Sequence, residues 1–219
     1  MIDPSTFTPW AIVTVAATGG LLLAEHRGSV SGRVVLKTVA ALGFLGAGLS
    51  GGLPTPGLPL WIVVGLSLSV VGDLCLLATI AGRAFLAGIG AFLLAHLAYL
   101  IGFWSTGIDA VGFSCTLGGL IPLAWALHRW LSPDISNRLR PAVLLYILVI
   151  TLMVAGAVGV WVHTPLFSGL VPAAVLFLVS DVGVAMQRFK GAGLRTKLWA
   201  QPAYFAAQLT FAWHVVWTP

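Results

Sequence analysis

The chain has 219 residues, of which 59% are hydrophobic and only 8% are charged. Soluble domains carry about 25% charged residues, so this composition excludes a soluble protein and predicts an integral membrane protein. The net charge of +5 does not indicate a nucleic-acid partner, because the basic residues fall in short segments between apolar runs. No polar block is long enough for a further domain, so residues 1–219 are predicted to form a single integral-membrane domain.

Eight apolar segments are each long enough to cross a bilayer as a helix, which takes about 20 residues. None of them alternates with the period of two that is typical of a transmembrane β-barrel strand. The predicted fold is therefore an all-α membrane protein with eight transmembrane helices, which in chain order are 8–25, 33–51, 58–80, 84–104, 110–131, 141–162, 165–187 and 198–217.

The basic residues predict how these helices are oriented. All 11 Lys and Arg lie in or beside the first, third, fifth and seventh connections, and the other connections hold none. The positive-inside rule places the basic connections in the cytoplasm and both termini outside. One missed or extra span would break this alternation, which therefore supports the count of eight. The compact connections lead us to expect a bacterial inner membrane, crossed in several passes.

Two aspartates, Asp73 and Asp181, lie inside predicted spans. A carboxylate near the centre of a bilayer costs about 2.5–3.5 kcal/mol or more, so an acid at this depth is a functional candidate. The chain has only six acids. The other four are interpreted as solvated or interfacial and without functional signal: Asp3, Glu25, Asp109 and Asp134.

Helix geometry predicts that several polar side chains share the layer of the two aspartates. Both aspartates precede a cytoplasmic basic residue and lie about 10–15 Å from the basic rim at 1.5 Å per residue. The layer is then in the inner half of the membrane. Lys37 can reach it from the rim, because a lysine stem extends along apolar surface. The returning helices add His96, Tyr99 one turn further out, Tyr204 and Gln208, whereas Gln201 and Pro202 are interpreted as the start of the last helix.

The two aspartates also occupy similar settings in the chain. Each follows a small residue and precedes a basic turn and a returning helix. His96 follows Asp73 at the same spacing at which Tyr204 follows Asp181. Four helices separate the two units, and the aspartate helices are predicted to run in the same direction. These correspondences predict a parallel 4+4 repeat.

Two stretches, 65–103 and 173–213, resemble the YhhN-like lysoplasmalogenase family, whose eight spans agree with the count above. Lys37, early in the second span, also fits the family, but the first, second, fifth and sixth spans otherwise match only in hydropathy. The chain departs from the family at Val182-Gly183, where leucines are frequent. The matching motif residues are Gly72-Asp73, Phe85, Gly88, Phe92, His96 and Tyr99, then Ser180-Asp181, Arg188-Phe189, Tyr204 and Gln208.

This resemblance implies hydrolysis of the vinyl ether bond of lysoplasmalogens to a fatty aldehyde and a glycerophospho-ethanolamine or -choline. Such a reaction needs an acid that protonates the β-carbon and a carboxylate that stabilises the oxocarbenium ion and activates water, as in glycosidases. Asp73 and Asp181 are the expected pair, with either one as the acid. The side chains expected to orient water or to bind the lysophospholipid head group are Lys37, His96, Tyr99, Tyr204 and Gln208. Neither a metal nor a cofactor is expected, and the oligomeric state stays open.

Three other functions fit parts of the pattern. Buried acids in a repeated helical bundle also serve proton-coupled transporters of small molecules or lipids. A metal-dependent membrane lipid hydrolase could use Asp73, Asp181 and His96 as ligands, although catalytic zinc sites usually contain more His or Cys. A non-catalytic lipid-binding or scaffold bundle gives no reason for two aspartates at matched depth. A lipid hydrolysis assay with and without a chelator separates these classes.

Overall fold

The computed structural model describes residues 4–77 and 82–217, and within these ranges the regular structure is helical. The eight α-helices are α1 (Pro4–His26), α2 (Val30–Leu49), α3 (Leu58–Leu77), α4 (Gly82–Thr106), α5 (Ala110–Leu131), α6 (Arg140–His163), α7 (Leu170–Phe189) and α8 (Leu194–Val216). Short 3₁₀ turns, Ser132–Asp134 and Pro165–Phe167, follow α5 and precede α7. Each predicted span overlaps one of these helices. The predicted end of the third span, 78–80, and Asp3 lie outside the described residues.

Local sequence signals explain where several helices begin. The Ser29 side chain accepts a hydrogen bond from the backbone N–H of Gly32 at 3.2 Å, and the Asp109 carboxylate accepts one from Gly112 at 2.6 Å. Both satisfy amide groups that the first turn of a helix leaves without partners. Gly28 has a φ of 66°, which favours glycine and reverses the chain between α1 and α2.

Helices adjacent in sequence pack as antiparallel pairs: α1 with α2, α3 with α4, α5 with α6, and α7 with α8. The pairs are joined mainly by α2 against α8 and α4 against α6, with further contacts of α8 to α1 and α3. Fully buried aromatic side chains fill the centre, among them Phe44, Phe103, Phe177 and Phe211. Large apolar side chains on the outside, including Trp104 and Leu94, are exposed and suit a lipid surrounding.

Among the described residues, seven helices are long and apolar enough to cross a membrane, which supports an integral multi-pass membrane protein. The helix outside this set is α8, which was predicted as the eighth span. It has 23 residues, but it carries Arg195 and Lys197 in its first turn, and Gln201 and Gln208 further along. Because α8 packs against four other helices, many of its side chains contact protein, which reduces its need for an apolar surface.

The interpretation of Gln201 and Pro202 as a helix start is wrong. Helix α8 begins at Leu194, so both residues lie inside it. Arg195 and Lys197 make the start of α8 resemble a polar connection, although charged side chains are compatible with the first turn of a helix. The shift places Gln201 on an interior turn of α8, where its side chain faces α1.

Candidate active site

Asp73, on α3, is 2% exposed and accepts hydrogen bonds on both carboxylate oxygens. The Lys37 ammonium group on α2 lies 3.0 Å from Oδ1. The Tyr204 hydroxyl on α8 donates to Oδ2 at 2.6 Å. Three helices therefore meet at this carboxylate. A buried charge is tolerated when it is paired and hydrogen-bonded in this way.

Asp181, on α7, has a different set of partners. The Tyr146 hydroxyl on α6 donates to Oδ2 at 2.8 Å. His96 Nε2 on α4 lies 3.4 Å from the same oxygen. The Asp181 side chain is 15% exposed, so it is more accessible than that of Asp73. No lysine or arginine is paired with Asp181 among the described residues, in contrast to Asp73.

The hydrogen bonds of His96 determine which ring nitrogen carries hydrogen. Nδ1 lies 2.6 Å from the backbone carbonyl oxygen of Phe92, and a carbonyl can only accept, so Nδ1 must donate. In the neutral ring Nε2 then carries no hydrogen and can accept one. Nε2 is buried and has no hydrogen-bond partner among the described residues other than its approach to Asp181. Neutral Nε2 can therefore only accept a hydrogen bond from Asp181, and it does so only when that carboxyl group carries the hydrogen.

Aromatic rings connect the two carboxylates. The Phe177 ring on α7 lies 4.4 Å from the His96 ring and 5.6 Å from the Tyr204 ring, measured between centroids. Phe92 also packs edge-on against both Phe177 and Tyr204. The partners of Asp73 and Asp181 are thus separated by a single phenylalanine, and these rings fix their orientation.

Both aspartates line one cavity of about 350 Å³, to which all eight helices contribute. This volume is within the usual range for small-molecule sites. The lining is largely aliphatic and aromatic. Its charged members are Glu25, Arg33, Lys37, Asp73, Asp181, Arg188 and Lys197. An apolar cavity with a few polar groups fits an amphiphilic ligand.

The predicted site residues divide into two groups. Asp73, Asp181, Lys37 and Tyr204 line the cavity, and His96 lies behind it in contact with Asp181. The other two pair with each other: the Tyr99 hydroxyl donates to Gln208 Oε1 at 2.7 Å, and both side chains are fully buried. Neither belongs to the described residues that line the cavity. Tyr99 stacks on Phe211 with centroids 4.3 Å apart, so Tyr99 belongs to the aromatic core of the protein.

Several polar residues of the cavity are not among those predicted from the sequence. Tyr146 is one of only three tyrosines in the chain, and its hydroxyl stands in an apolar helix, which was a usable signal. Glu25, interpreted as solvated or interfacial, has a side chain only 9% exposed and lines the cavity. Gln201 donates to Glu25 Oε1 at 3.2 Å. Only the packing of α1 against α8 brings these last two together.

The described residues contain no group of three or more His, Cys, Asp and Glu side chains that could hold a metal ion. The ligand set considered from the sequence, Asp73, Asp181 and His96, is therefore not assembled as one metal centre. His96 approaches Asp181 alone, and Asp73 is occupied by Lys37 and Tyr204. The prediction that no metal is required stays a prediction, which a chelator tests.

Comparison with known proteins adds one match. The YhhN family model matches residues 32–215, which is most of the chain. The chain belongs to the YhhN family. No curated protein matches it, and no solved structure does. The YhhN match includes both aspartates and every residue that contacts them. It begins after Glu25, so the part of the cavity formed by α1 lies outside the matched residues.

Proposed function

We propose that this protein is a lysoplasmalogenase, which hydrolyses the vinyl ether bond of a lysoplasmalogen. The observation that carries the proposal is the pair of aspartates from α3 and α7 lining one largely apolar cavity, each with different partners. Membership of the YhhN family supports it. The substrate is a single-chain phospholipid, whose apolar tail matches the aliphatic and aromatic lining of the cavity and whose polar head matches its charged residues.

The partners of Asp181 suit the acid. In the proposed mechanism Asp181 carries the proton, directed toward His96 Nε2, and delivery of this proton to the β-carbon of the vinyl ether makes an oxocarbenium ion. Tyr146 holds the carboxyl group in place through its hydroxyl. We therefore assign the general acid to Asp181, oriented by His96 and Tyr146, and it regains its proton from the hemiacetal hydroxyl when the hemiacetal collapses.

The partners of Asp73 suit the base. Both of its oxygens accept hydrogen bonds, from Lys37 and Tyr204, which is the arrangement of an ionised carboxylate. Such a carboxylate stabilises the oxocarbenium ion and takes a proton from the attacking water. Water adds to the α-carbon to give a hemiacetal. On its collapse the proton held by Asp73 passes to the departing glycerol oxygen, the hydroxyl proton returns to Asp181, and the fatty aldehyde and the glycerophospho-alcohol are released. The overall reaction consumes one water.

The same contacts support a parallel 4+4 repeat. The interval from Asp73 to Asp181 equals that from His96 to Tyr204. Each aspartate is bound by the returning helix of the other half, since Tyr204 reaches Asp73 and His96 reaches Asp181. Each also contacts the second helix of its own half, through Lys37 or Tyr146. We propose two related halves whose equivalent positions have taken on acid and base roles.

The test is aldehyde release from lysoplasmenylethanolamine by purified protein in detergent. Asp73→Asn and Asp181→Asn each remove a carboxylate and should lower kcat by at least about 10²-fold, the smaller end of acid–base contributions. Asp134→Asn is the matched control, because Asp134 pairs with Lys190 away from the cavity, and should retain wild-type activity. A chelator should leave the rate unchanged. Near-normal turnover in either cavity variant would refute the assigned pair.

A further inference from the structure

A second polar cluster lies in the cavity apart from the two aspartates. Glu25 on α1 binds Lys197 at 2.8 Å and approaches Arg33 at 3.6 Å through Oε2. Its other oxygen accepts from Gln201 Nε2 at 3.2 Å. We name these four residues the Glu25 cluster. All four line the cavity, and the proposed hydrolysis uses none of them.

The cluster lies at a defined distance from Asp73. On α2, Arg33 reaches Glu25 and Lys37, one turn later, reaches Asp73. On α8, Gln201 reaches Glu25 and Tyr204, three residues later, reaches Asp73. On both helices the residue that contacts Glu25 and the residue that contacts Asp73 are three or four positions apart, which is about 4.5–6 Å of helical rise.

The cluster is incomplete in two respects. Two cations share one carboxylate, which leaves a net positive charge in a largely apolar cavity. Such a charge favours an anion, which can bind to both cations. In addition, Gln201 Oε1 is buried and has no hydrogen-bond partner among the described residues. A buried acceptor without a donor is costly, so a ligand that brings an N–H group is favoured at this position.

We propose that the Glu25 cluster binds the head group of a phosphoethanolamine lipid, with the phosphate on Arg33 and Lys197 and the ammonium group donating to Gln201 Oε1. This inference rests on the proposed function, since it takes a lysophospholipid as the ligand. The dimensions agree: the five bonds from the ether oxygen to the phosphorus span about 6 Å when extended. With the phosphate on the cluster, the vinyl ether lies beside Asp73. A choline head group has no N–H and leaves Gln201 Oε1 without a partner.

Binding can be tested without turnover. The probe is a saturated 1-O-alkyl lysophosphatidylethanolamine, which lacks the vinyl bond, titrated into purified protein and followed by tryptophan fluorescence. Lys197→Met should weaken binding about tenfold or more, because it removes a hydrogen bond to a charged phosphate. Lys197→Arg should retain binding, which shows that the site is still folded. Lys190→Met is the charge-matched control and should bind as wild type, since Lys190 pairs with Asp134 outside the cavity.

Two further ligands test the head-group chemistry. A 1-O-alkyl glycerol without phosphate should bind at least about tenfold more weakly than the phosphoethanolamine ether, and Lys197→Met should not weaken it further. Gln201→Leu should weaken the ethanolamine ether about fivefold or more and leave the choline ether unchanged. Equal loss for both head groups in Gln201→Leu, or unchanged binding in Lys197→Met, overturns the assignment.

Failure of this inference is distinguishable from failure of the proposed function. If the ether probes bind as expected but no aldehyde is released from lysoplasmenylethanolamine, the hydrolysis proposal fails and the head-group site stands. If aldehyde is released while Lys197→Met and Gln201→Leu bind the probes as wild type does, only the head-group site is wrong.

Discussion

At the scale of single residues, the two aspartates differ in what holds them. Asp73 pairs with a lysine and a tyrosine, whereas Asp181 pairs with a tyrosine and a histidine. In the sequence both aspartates have the same setting, since each follows a small residue in an apolar helix. Their proposed separation into base and acid comes from neighbours on other helices. Asp73 accepts from a donor on each oxygen, as an ionised carboxylate does, whereas Asp181 faces an imidazole nitrogen that can accept a hydrogen bond from a protonated carboxyl group.

The hydroxyl groups of the tyrosines provide a prediction at this scale. Tyr204→Phe removes the hydrogen bond to Asp73 and should lower kcat at least about tenfold, since hydrogen bonds to charged groups contribute about 1.5–3 kcal/mol. Tyr99→Phe is the matched control. It should cost about 1–3 kcal/mol of unfolding free energy by leaving Gln208 Oε1 without a donor, while most activity remains.

The measurements are steady-state aldehyde release and thermal unfolding in detergent for both variants. A Tyr99→Phe protein with the larger loss of kcat would place the reactive part of the site on the Tyr99–Gln208 side, against the cavity described above.

At the scale of helices, close approach depends on where glycine occurs. Gly102 on α4 faces α3, and an added Cβ there would lie 2.9 Å from Trp61 Cβ. Gly90 lies on the same helix and has nothing within 4 Å of an added Cβ. The sequence shows many glycines in its predicted spans, but the structure separates those that permit helix contact from those on an open face.

This difference predicts opposite effects of the same substitution. Gly102→Ala should lower the free energy of unfolding by about 1–3 kcal/mol, because atoms close to the backbone must move apart. Gly90→Ala should raise it by up to about 1 kcal/mol, because alanine favours helix and meets no neighbour. Thermal unfolding in detergent measures both, and shifts of the same sign would contradict the packing of α3 on α4.

At the scale of the whole molecule, the eight helices surround one cavity, and the basic residues define its proposed orientation. Arg33, Arg188 and Lys197 line the cavity and belong to connections predicted to be cytoplasmic. With that orientation the Glu25 cluster faces the inner leaflet, and a lysophospholipid would bind with its head toward the cytoplasm. We therefore expect substrate to come from the inner leaflet.

Cysteine labelling tests this orientation. In a background with Cys75→Ser and Cys115→Ser, a cysteine is introduced at Asn137 or at Thr55, both exposed in connections between helices. A membrane-impermeant maleimide added to intact cells should label Thr55→Cys and should label Asn137→Cys only after the membrane is opened. The reverse pattern would invert the protein and assign the head-group site to the outer leaflet.

The amino-acid sequence alone predicts the membrane class, the approximate position of each helix and both aspartates as candidate functional residues. Each of these depends on local quantities, the length of an apolar run or the cost of a charge within it. The sequence also predicts that His96, Tyr204 and Lys37 lie at the depth of the two aspartates, because helical rise converts residue spacing into depth.

Which side chain contacts which carboxylate follows from the packing of the helices and could not be predicted from the sequence. Depth along a helix says nothing about the direction a side chain faces or about which helices are neighbours. Because α8 packs against α1, α2 and α3, Tyr204 contacts Asp73 and Gln201 contacts Glu25. The packing of α4 against α6 places His96 and Tyr146 side by side at Asp181. Glu25, which the sequence treated as an interfacial acid, became part of the cavity for the same reason.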